Sequence, residues 1–399
     1  MDKNEIGQRI IELRRTLHRQ PELSGKEFET AKTIAAFMRE SGAEVSTGIG
    51  GTGLKAVLRG KRPGRTIGFR ADMDALPVDE ENDLPYKSQV PGVMHACGHD
   101  SHVASVAGSF LYMKEFLTGG VPEEGNIVFI FQPAEERPPG GARFMIEEGV
   151  LKEPRIDVMV GLHNSPNFPV GMVIVPEGAV TAGSDLFELI IKGPGGHGAR
   201  PEQCADTVLM ACHFVVLLQS MVSRKYTPGQ WPVISVGSIS GGKAHNIIPQ
   251  EVKVTGTVRS FRDDGLRIKE EMKTILDSLV NLFGGDYSIS YRFGYPSAVN
   301  APGISELVRQ TARNHGFFRW VETNLDRAYV SEDFGYFSSE VPSCYFTFGV
   351  GDDRKESPGQ LHTGRFILDD SVLPHISRLL CDIGLNYLSS GAEFGSEAE

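Results

Sequence analysis

Short apolar runs alternate with helical stretches between residues 53 and 161, and this order constrains the fold more than any other feature. The runs are five to seven residues long and rich in β-branched or aromatic residues, as buried strands are: residues 66–70, 126–132 and 157–162. Helices are predicted over residues 102–117 and 141–148. Strands that alternate with helices predict an α/β fold, in which a mainly parallel sheet is flanked by helices on both faces.

The middle of the chain follows a different order. Strand, helix, strand, strand, helix and strand are predicted in turn, over residues 185–192, 205–223, 233–240, 251–260, 264–283 and 287–293. This is the ferredoxin-like βαββαβ arrangement, and it indicates a separate domain inserted into the first. We therefore expect the first part of the larger domain over residues 1–182, the inserted domain over 183–297, and the second part of the larger domain over 298–399.

Charge and cysteine content limit the class of protein and the compartment. Lysine and arginine number 40 and aspartate and glutamate 51, a net charge of −11 that argues against a general nucleic-acid binder. Five scattered cysteines, an odd number, favour a reducing compartment over a disulfide framework. The longest apolar run, residues 208–218, is far short of the roughly 20 residues that cross a bilayer. These features predict a soluble cytoplasmic protein with no membrane partner.

One histidine and four cysteines are interpreted as structural residues. His213 is expected to be a core histidine on the apolar face of a helix. Cys204, Cys212, Cys344 and Cys381 are interpreted as small buried residues.

Acidic and imidazole side chains follow three of the predicted strands. Asp72 and Asp74 come after the first, Glu135 and Glu136 after the second, and His163 after the third. Because ligands of open α/β sheets bind outside the carboxyl ends of the strands, we expect these side chains to share one edge of the sheet.

The stretch HACGHDSH, residues 95–102, places Cys97 and His99 two residues apart. Thiolate and imidazole are ligands of transition metals such as zinc, although an isolated stretch of this kind is more often an ordinary loop. Glu135 and Glu136 repel each other unless a cation lies between them or one is protonated. A metal on Glu136 would leave Glu135 as a general base; the alternative is an acidic turn that faces solvent.

Seven motifs in one order carry a resemblance to a known family. They are HACGHDSH (95–102), QPAEE (132–136), GLHN (161–164), GGHGARP (195–201), HNIIP (245–249), SEDFGYF (331–337) and LHTGRF (361–366). Over nearly its whole length the chain resembles the metallo-aminoacylase/carboxypeptidase family. The branch is the one that includes hippurate hydrolases and indoleacetyl-amino-acid hydrolases.

The resemblance implies a zinc-exopeptidase-like catalytic domain with two divalent transition-metal ions per subunit, whether zinc, manganese, cobalt or nickel. The positions that match the metal ligands of this branch are Cys97, His99, Glu136, His163 and His362. Glu135 matches the catalytic base, and Asp74 matches an acidic residue that orients a ligand. Asp72 has no assigned ligand role. Asp100 and His102 lie beside motif residues and are interpreted either as residues that support the ligands or as structural residues.

The resemblance also implies that the inserted domain is a lid and dimerisation domain, so that the protein is a homodimer. There His197 is expected to donate to the oxyanion, and Asn246 and Arg259 to hold the substrate's carboxylate or carbonyl. Each residue has a local alternative: a simple turn around His197, a cap for Asn246, a strand surface charge for Arg259.

The implied function is hydrolysis of the amide bond of N-acyl amino acids, small molecules with acetyl, benzoyl or indoleacetyl-type acyl groups. One alternative is a metal-dependent dipeptidase or carboxypeptidase that acts on short peptides. A second is a non-catalytic binding protein on the same fold. A third is a hydrolase that uses Cys97 as its nucleophile, with a nearby histidine as the base.

Overall fold

The described residues divide into two compact units. The computed structural model describes residues 2–227, 229, 231–261, 264–324, 329–351 and 359–390. The main unit runs to Val180, resumes at Ala298 and again at Asp333. The inserted unit comprises Thr181–Ser297 and a short later segment that ends at Glu332.

The helices and strands are numbered along the chain. The helices are α1 Lys3–Arg19, α2 Phe28–Glu40, α3 His99–Phe116, α4 Gly141–Glu147, α5 Thr207–Lys225, α6 Gly265–Phe283, α7 Pro302–Asn314, α8 Phe334–Glu340 and α9 Leu373–Ser389. The strands are β1 Glu44–Ile49, β2 Gly53–Arg59, β3 Arg62–Asp72, β4 Glu124–Gln132, β5 Val158–Pro169, β6 Met172–Ile174, β7 Gly178–Ala179, β8 Gly183–Lys192, β9 Gly196–His197, β10 Val233–Gly241, β11 Ile247–Ile248, β12 Glu251–Ser260, β13 Asp286–Tyr295, β14 Val299–Asn300, β15 Trp320–Glu322 and β16 Ser343–Gly351.

The main unit is built on an eight-stranded sheet in the order β1-β2-β4-β3-β5-β16-β6-β15. Its centre is parallel, because β4, β3, β5 and β16 all run the same way. Strands β1 and β2 form an antiparallel edge, and β6 runs antiparallel to β16. The predicted α/β fold with a mainly parallel sheet is confirmed, with antiparallel additions toward the edges.

Both faces of the central strands are buried, and for this reason these strands read as continuous apolar runs. In β4, Ile127, Phe129 and Phe131 pack in the cluster that contains α1, α3, α7 and α9. The alternate residues Val128 and Ile130 pack on the opposite face with α4 and α8. The sheet is therefore covered by helices on both faces, as predicted.

The inserted unit has its own core. Its four-stranded antiparallel sheet has the order β10-β12-β8-β13. Apolar residues of α5 and α6 pack together with one face of that sheet. The order of elements, β8-α5-β10-β12-α6-β13, is the ferredoxin-like arrangement predicted from the sequence.

Three of the five residues expected to be buried are not buried. His213 and Cys212 are exposed and Cys204 is partly exposed, whereas Cys344 and Cys381 are buried. The reason is that α5 is apolar on its outer face as well as its inner face, so apolar neighbours in the sequence do not identify the buried side.

The same helix is longer than the apolar run at residues 208–218. By length and composition alone, the 19 residues of α5 are long and apolar enough to cross a membrane. A third of the most apolar 18-residue stretch of this helix is buried inside the protein. Its inner face packs in the core of the inserted unit.

Candidate metal centre

Three parallel strands bring acidic and imidazole groups to one region of the main unit. Strand β3 ends at Asp72 and β4 ends at Gln132, four residues before Glu136. Strand β5 does not end before His163 as predicted but continues to Pro169, because β16 pairs with it along this stretch. His163 is therefore held inside the ladder and not on a loop.

The HACGHDSH stretch forms the entry into α3. Gly98 adopts a left-handed conformation with φ of 82°, and the helix begins at His99. The Sγ atom of Cys97 lies 3.5 Å from Nε2 of His163. Nε2 of His99 lies 3.8 Å from Oε1 of Glu136. The turn thus places one thiol and one imidazole against groups carried by two different strands.

His362 reaches the same place from a distant part of the chain. Its backbone is left-handed, with φ of 65°, and its N–H donates to the carbonyl of Ala96 over 2.9 Å. Its Nε2 atom lies 3.3 Å from Oε1 of Glu136. The structure therefore brings together the five side chains that the resemblance singled out, Cys97, His99, Glu136, His163 and His362.

Asp74 links two parts of this cluster. Its Oδ1 accepts a hydrogen bond from Nδ1 of His99 over 3.2 Å. Its Oδ2 accepts from the Ser24 hydroxyl over 2.6 Å and from the Glu136 backbone N–H over 3.0 Å. Burial alone would raise the pKa of Asp74, but these three donors hold it below the ordinary value. Asp74 is thus an ionised carboxylate that fixes the His99 ring and the backbone after β4.

Burial sets the protonation of two other members. It raises the pKa of the Cys97 thiol to about 12 and lowers the pKa of His163 to about 4. His163 donates from Nδ1 to the carbonyl of Asn164 over 2.6 Å, so its Nε2 lone pair faces the Cys97 sulfur. Neutral imidazole held in this way is a ready metal ligand.

Two of the atoms that converge here are buried without a hydrogen-bond partner. Among the described residues, Nε2 of His99 and Oε1 of Glu136 are buried and have no hydrogen-bond partner. The Nδ1 hydrogen of His99 goes to Asp74, so Nε2 is the nitrogen left for a ligand. A cation held by Nε2 and the Glu136 carboxylate would satisfy both atoms. The residues present therefore fit a metal ion.

The cluster can be divided into two overlapping groups. Cys97, His99 and His163 form one, and Cys97, Glu136 and His362 form the other. Within each group the ligand atoms lie within 4.8 Å of one another. Sulfur, imidazole and carboxylate donors suit transition metals better than magnesium or calcium. Glu135 is buried and forms a further group of this kind with His99 and Glu136.

The other three candidate residues belong to the inserted unit. His197 and Asn246 lie on one small ribbon, in which β9 pairs with β11 and the Gly198 N–H donates to the Asn246 carbonyl over 2.8 Å. Both side chains are exposed. Arg259 lies in β12, where its guanidinium donates to the Ser331 hydroxyl and burial lowers its pKa.

Sequence reasoning missed Asn164, gave no ligand role to Asp72 and left His102 as a supporting or structural residue. His102 and Asp72 are fully buried and hydrogen-bonded over 2.6 Å, and Arg70 forms a 2.6 Å ion pair with the same aspartate. The available signal was position: Asp72 precedes Asp74 by two residues, and Asn164 follows His163 directly.

Gly98 provides a direct test of the turn before α3. A Cβ atom there would lie 2.3 Å from Nδ2 of Asn164, in addition to the left-handed backbone. We expect Gly98→Ala to lower the thermal midpoint and to weaken Co²⁺ binding by about tenfold or more, because Asn164 must move. Gly119 beyond the other end of α3 has φ of 76° and open space around it. Gly119→Ala should therefore show only the backbone cost, about 1–2 kcal/mol, and parent cobalt affinity.

Comparison with known proteins identifies the family of the chain. The model of the peptidase family M20/M25/M40 matches residues 68–382. Thermostable carboxypeptidase 1 of Saccharolobus solfataricus is 37% identical over 380 residues, which cover 93% of each chain. N-acetyldiaminopimelate deacetylase of a Geobacillus species is 33% identical over 96% of each chain.

A solved structure shows the same fold. The crystal structure of the Bacillus subtilis YXEP protein, a dinuclear metal binding peptidase, superposes with a TM-score of 0.82 at 30% identity. The match covers 96% of this chain and 99% of that one. The chain is therefore a member of peptidase family M20/M25/M40, an enzyme that hydrolyses amide bonds.

Proposed function

We propose that this enzyme hydrolyses the amide bond that joins an acyl group to an amino acid, with Glu135 as the general base. The observation that carries the proposal is the cluster of Cys97, His99, Glu136, His163 and His362, with the Glu135 carboxylate beside it. The named activity of the Geobacillus relative, deacetylation of an N-acetylated amino acid, supports this substrate class.

The two overlapping groups, both of which include Cys97, would hold two divalent ions per subunit. Zinc, manganese, cobalt and nickel all suit this donor set. When bound, such ions polarise a carbonyl and lower the pKa of a coordinated water toward about 7. Asp74 holds His99 in the tautomer that a ligand needs, through the Nδ1 hydrogen bond.

Glu135 performs the proton transfers in this proposal. Its carboxylate takes a proton from the attacking water as the water oxygen bonds to the amide carbon. The same carboxyl group then returns the proton to the leaving nitrogen as the carbon–nitrogen bond breaks. The products are a carboxylic acid and an amino acid, and Glu135 ends in its starting form.

Three residues of the inserted unit complete the proposal. Nδ1 of His197 accepts the Ala199 N–H over 3.1 Å, so its hydrogen is on Nε2 and is available to an oxyanion. Arg259 supplies a partly buried guanidinium, and Asn246 an exposed amide, for a substrate carboxylate or carbonyl.

We propose a cytoplasmic homodimer formed through the inserted unit. The outer face of α5 supports this proposal, because Val216 is 63% exposed beside exposed Val208, Leu209 and Leu217. Contiguous apolar side chains of this kind mark a surface that another protein covers. Strand β10 lies at the edge of the sheet and offers unpaired backbone groups to a second copy.

Two alternative functions were considered, one with short peptides as substrates and one with Cys97 as the nucleophile. The Saccharolobus relative is named a carboxypeptidase, which favours short peptides as a second substrate class. A Cys97 nucleophile is disfavoured because burial raises the pKa of its thiol to about 12, leaving little thiolate without a cation.

Substitution of Glu135 and of Glu136 should affect catalysis and metal binding differently. We expect Glu135→Gln to lose about 10²–10⁴ in rate, because the amide cannot take the proton, while metal content stays at the parent level. Glu136→Gln should lose metal. Turnover of N-acetyl, N-benzoyl and indoleacetyl amino acids and of short peptides, with metal analysis of each variant, tests both expectations. Full activity of metal-replete Glu135→Gln refutes the base; an inert, metal-replete parent supports the non-catalytic alternative.

Metal binding should tighten as the pH rises. In the metal-free protein Cys97 keeps its proton, since burial raises its pKa to about 12. Burial would lower the pKa of His99, but Asp72, Cys97 and Asp74 outweigh it and raise the pKa well above its ordinary value. Ligation needs thiolate and neutral imidazole, so binding releases one proton from each, and none from His163, whose pKa is about 4.

Calorimetric titration with Co²⁺ in buffers of different ionisation enthalpy measures this release. Cys97→Ser should release about one proton fewer than the parent, because serine is neutral in both states. An affinity that does not change between about pH 6.5 and 8 would contradict the proposed ligands.

Charge on the outer face of α5 should abolish the dimer. Val216→Glu places a carboxylate at the most exposed apolar position described on this face. Sedimentation equilibrium is expected to give a dimer for the parent and a monomer for this variant, with unchanged thermal stability. Phe28→Glu is the matched control, because Phe28 is 60% exposed on α2 of the main unit. A monomeric parent, or a Val216→Glu dimer, argues against this interface.

A further inference from the structure

His102 is the centre of a buried hydrogen-bond chain that the proposed mechanism does not use. Its Nδ1 lies 2.6 Å from Oδ1 of Asp72, and the other oxygen of that carboxylate pairs with Arg70. Arg70 also binds Asp333 over 2.8 Å. All four side chains are fully buried. The aspartate is held between two cationic or donor groups, and this arrangement fixes the hydrogen of His102 on Nδ1.

The other ring nitrogen of His102 is also engaged. Nε2 accepts the backbone N–H of Asn164 over 3.0 Å and the side-chain Nδ2–H of Asn164 over 2.8 Å. Although His102 lies with Asp72 and His99 in a group that could hold a metal, both of its nitrogens are occupied by these bonds. Its geometry is therefore that of a support, not of a ligand.

Asn164 carries this support to two of the proposed ligands. Its side-chain Nδ2–H also donates to the backbone carbonyl of Cys97 over 2.8 Å. Its own carbonyl accepts Nδ1–H of His163 over 2.6 Å, which turns Nε2 of His163 toward the Cys97 sulfur. One residue thus fixes the backbone that carries the thiol and the ring orientation of the facing imidazole.

We infer that His102, acting through Asn164, is a positioning residue that sets the angle between Cys97 and His163 for metal binding. This inference rests on the proposed metal centre. Partners of ligating groups that fix ring or backbone orientation typically change metal affinity 10–100-fold when removed. The affected contact is specific: the metal–sulfur bond should weaken first.

Cobalt substitution tests the inference independently of activity. Co²⁺ is added to the metal-free full chain, its dissociation constant is measured, and the thiolate-to-cobalt charge-transfer absorption is recorded. His102→Leu removes both hydrogen-bonding nitrogens, so the dissociation constant should rise about 10–100-fold and the band should weaken per bound ion. His102→Gln can donate to Asp72 and accept from Asn164, so affinity and band should return toward the parent.

His18 provides the matched control. It is equally buried, with Nδ1 2.7 Å from Oδ2 of Asp100 and Nε2 3.3 Å from Oε1 of Glu80, but it has no bond to Asn164. His18→Leu should cost stability without changing the charge-transfer band. If circular dichroism shows that His102→Leu is unfolded, Asn164→Ser is used in its place. The shorter serine side chain cannot reach His102 or the Cys97 carbonyl, so both hydrogen bonds of the Asn164 side chain are lost.

Each outcome decides the matter. A folded His102→Leu or Asn164→Ser protein with parent affinity and band overturns the inference. The inference is also overturned if His18→Leu loses as much Co²⁺ affinity and charge-transfer absorption as His102→Leu. It is overturned as well if His102→Gln loses the charge-transfer band. A parent protein that binds no Co²⁺ refutes the proposed metal centre itself, which is a different result.

Discussion

The convergence of metal-binding side chains in one region of the main unit is the constraint on which the candidate metal centre depends. The sulfur of Cys97, the imidazoles of His99 and His163 and the carboxylate of Glu136 converge in one region, where Cys97 and His99 are buried. Removing such polar groups from water is unfavourable unless partners hold them, so the fold must keep each of them in place. Each group is fixed through an atom that faces away from the centre of the cluster.

The parallel sheet explains how so many groups can be fixed at once. Strands that run the same way deliver their carboxyl ends to one edge, and α3 begins there as well. Hydrogen bonds then fix the rings: His99 is bound by Asp74 and His163 by the Asn164 carbonyl. The arrangement is therefore preorganised, and metal binding does not have to order these side chains.

Much of the architecture was predictable because it depends on local patterns. Strand β12 was predicted with its observed bounds, and α3 began within three residues of the expected start. The end of β5 was predicted wrongly, because polar residues after position 162 suggested a loop, whereas pairing with β16 keeps them in the ladder. The contact between His102 and Asn164 joins residues 62 apart, and no local pattern encodes a pairing of that kind.

The pairing of β5 with β16 has a consequence for how the protein is made. These neighbours in the sheet are separated in the chain by the whole inserted unit, and His362 follows β16. While a ribosome is still translating the inserted unit, β5 lacks one of its two neighbours. The inserted unit has a core of its own and can collapse during this interval. Acquisition of the full metal complement is therefore confined to the final stage of synthesis, after the nascent polypeptide has closed its central ladder.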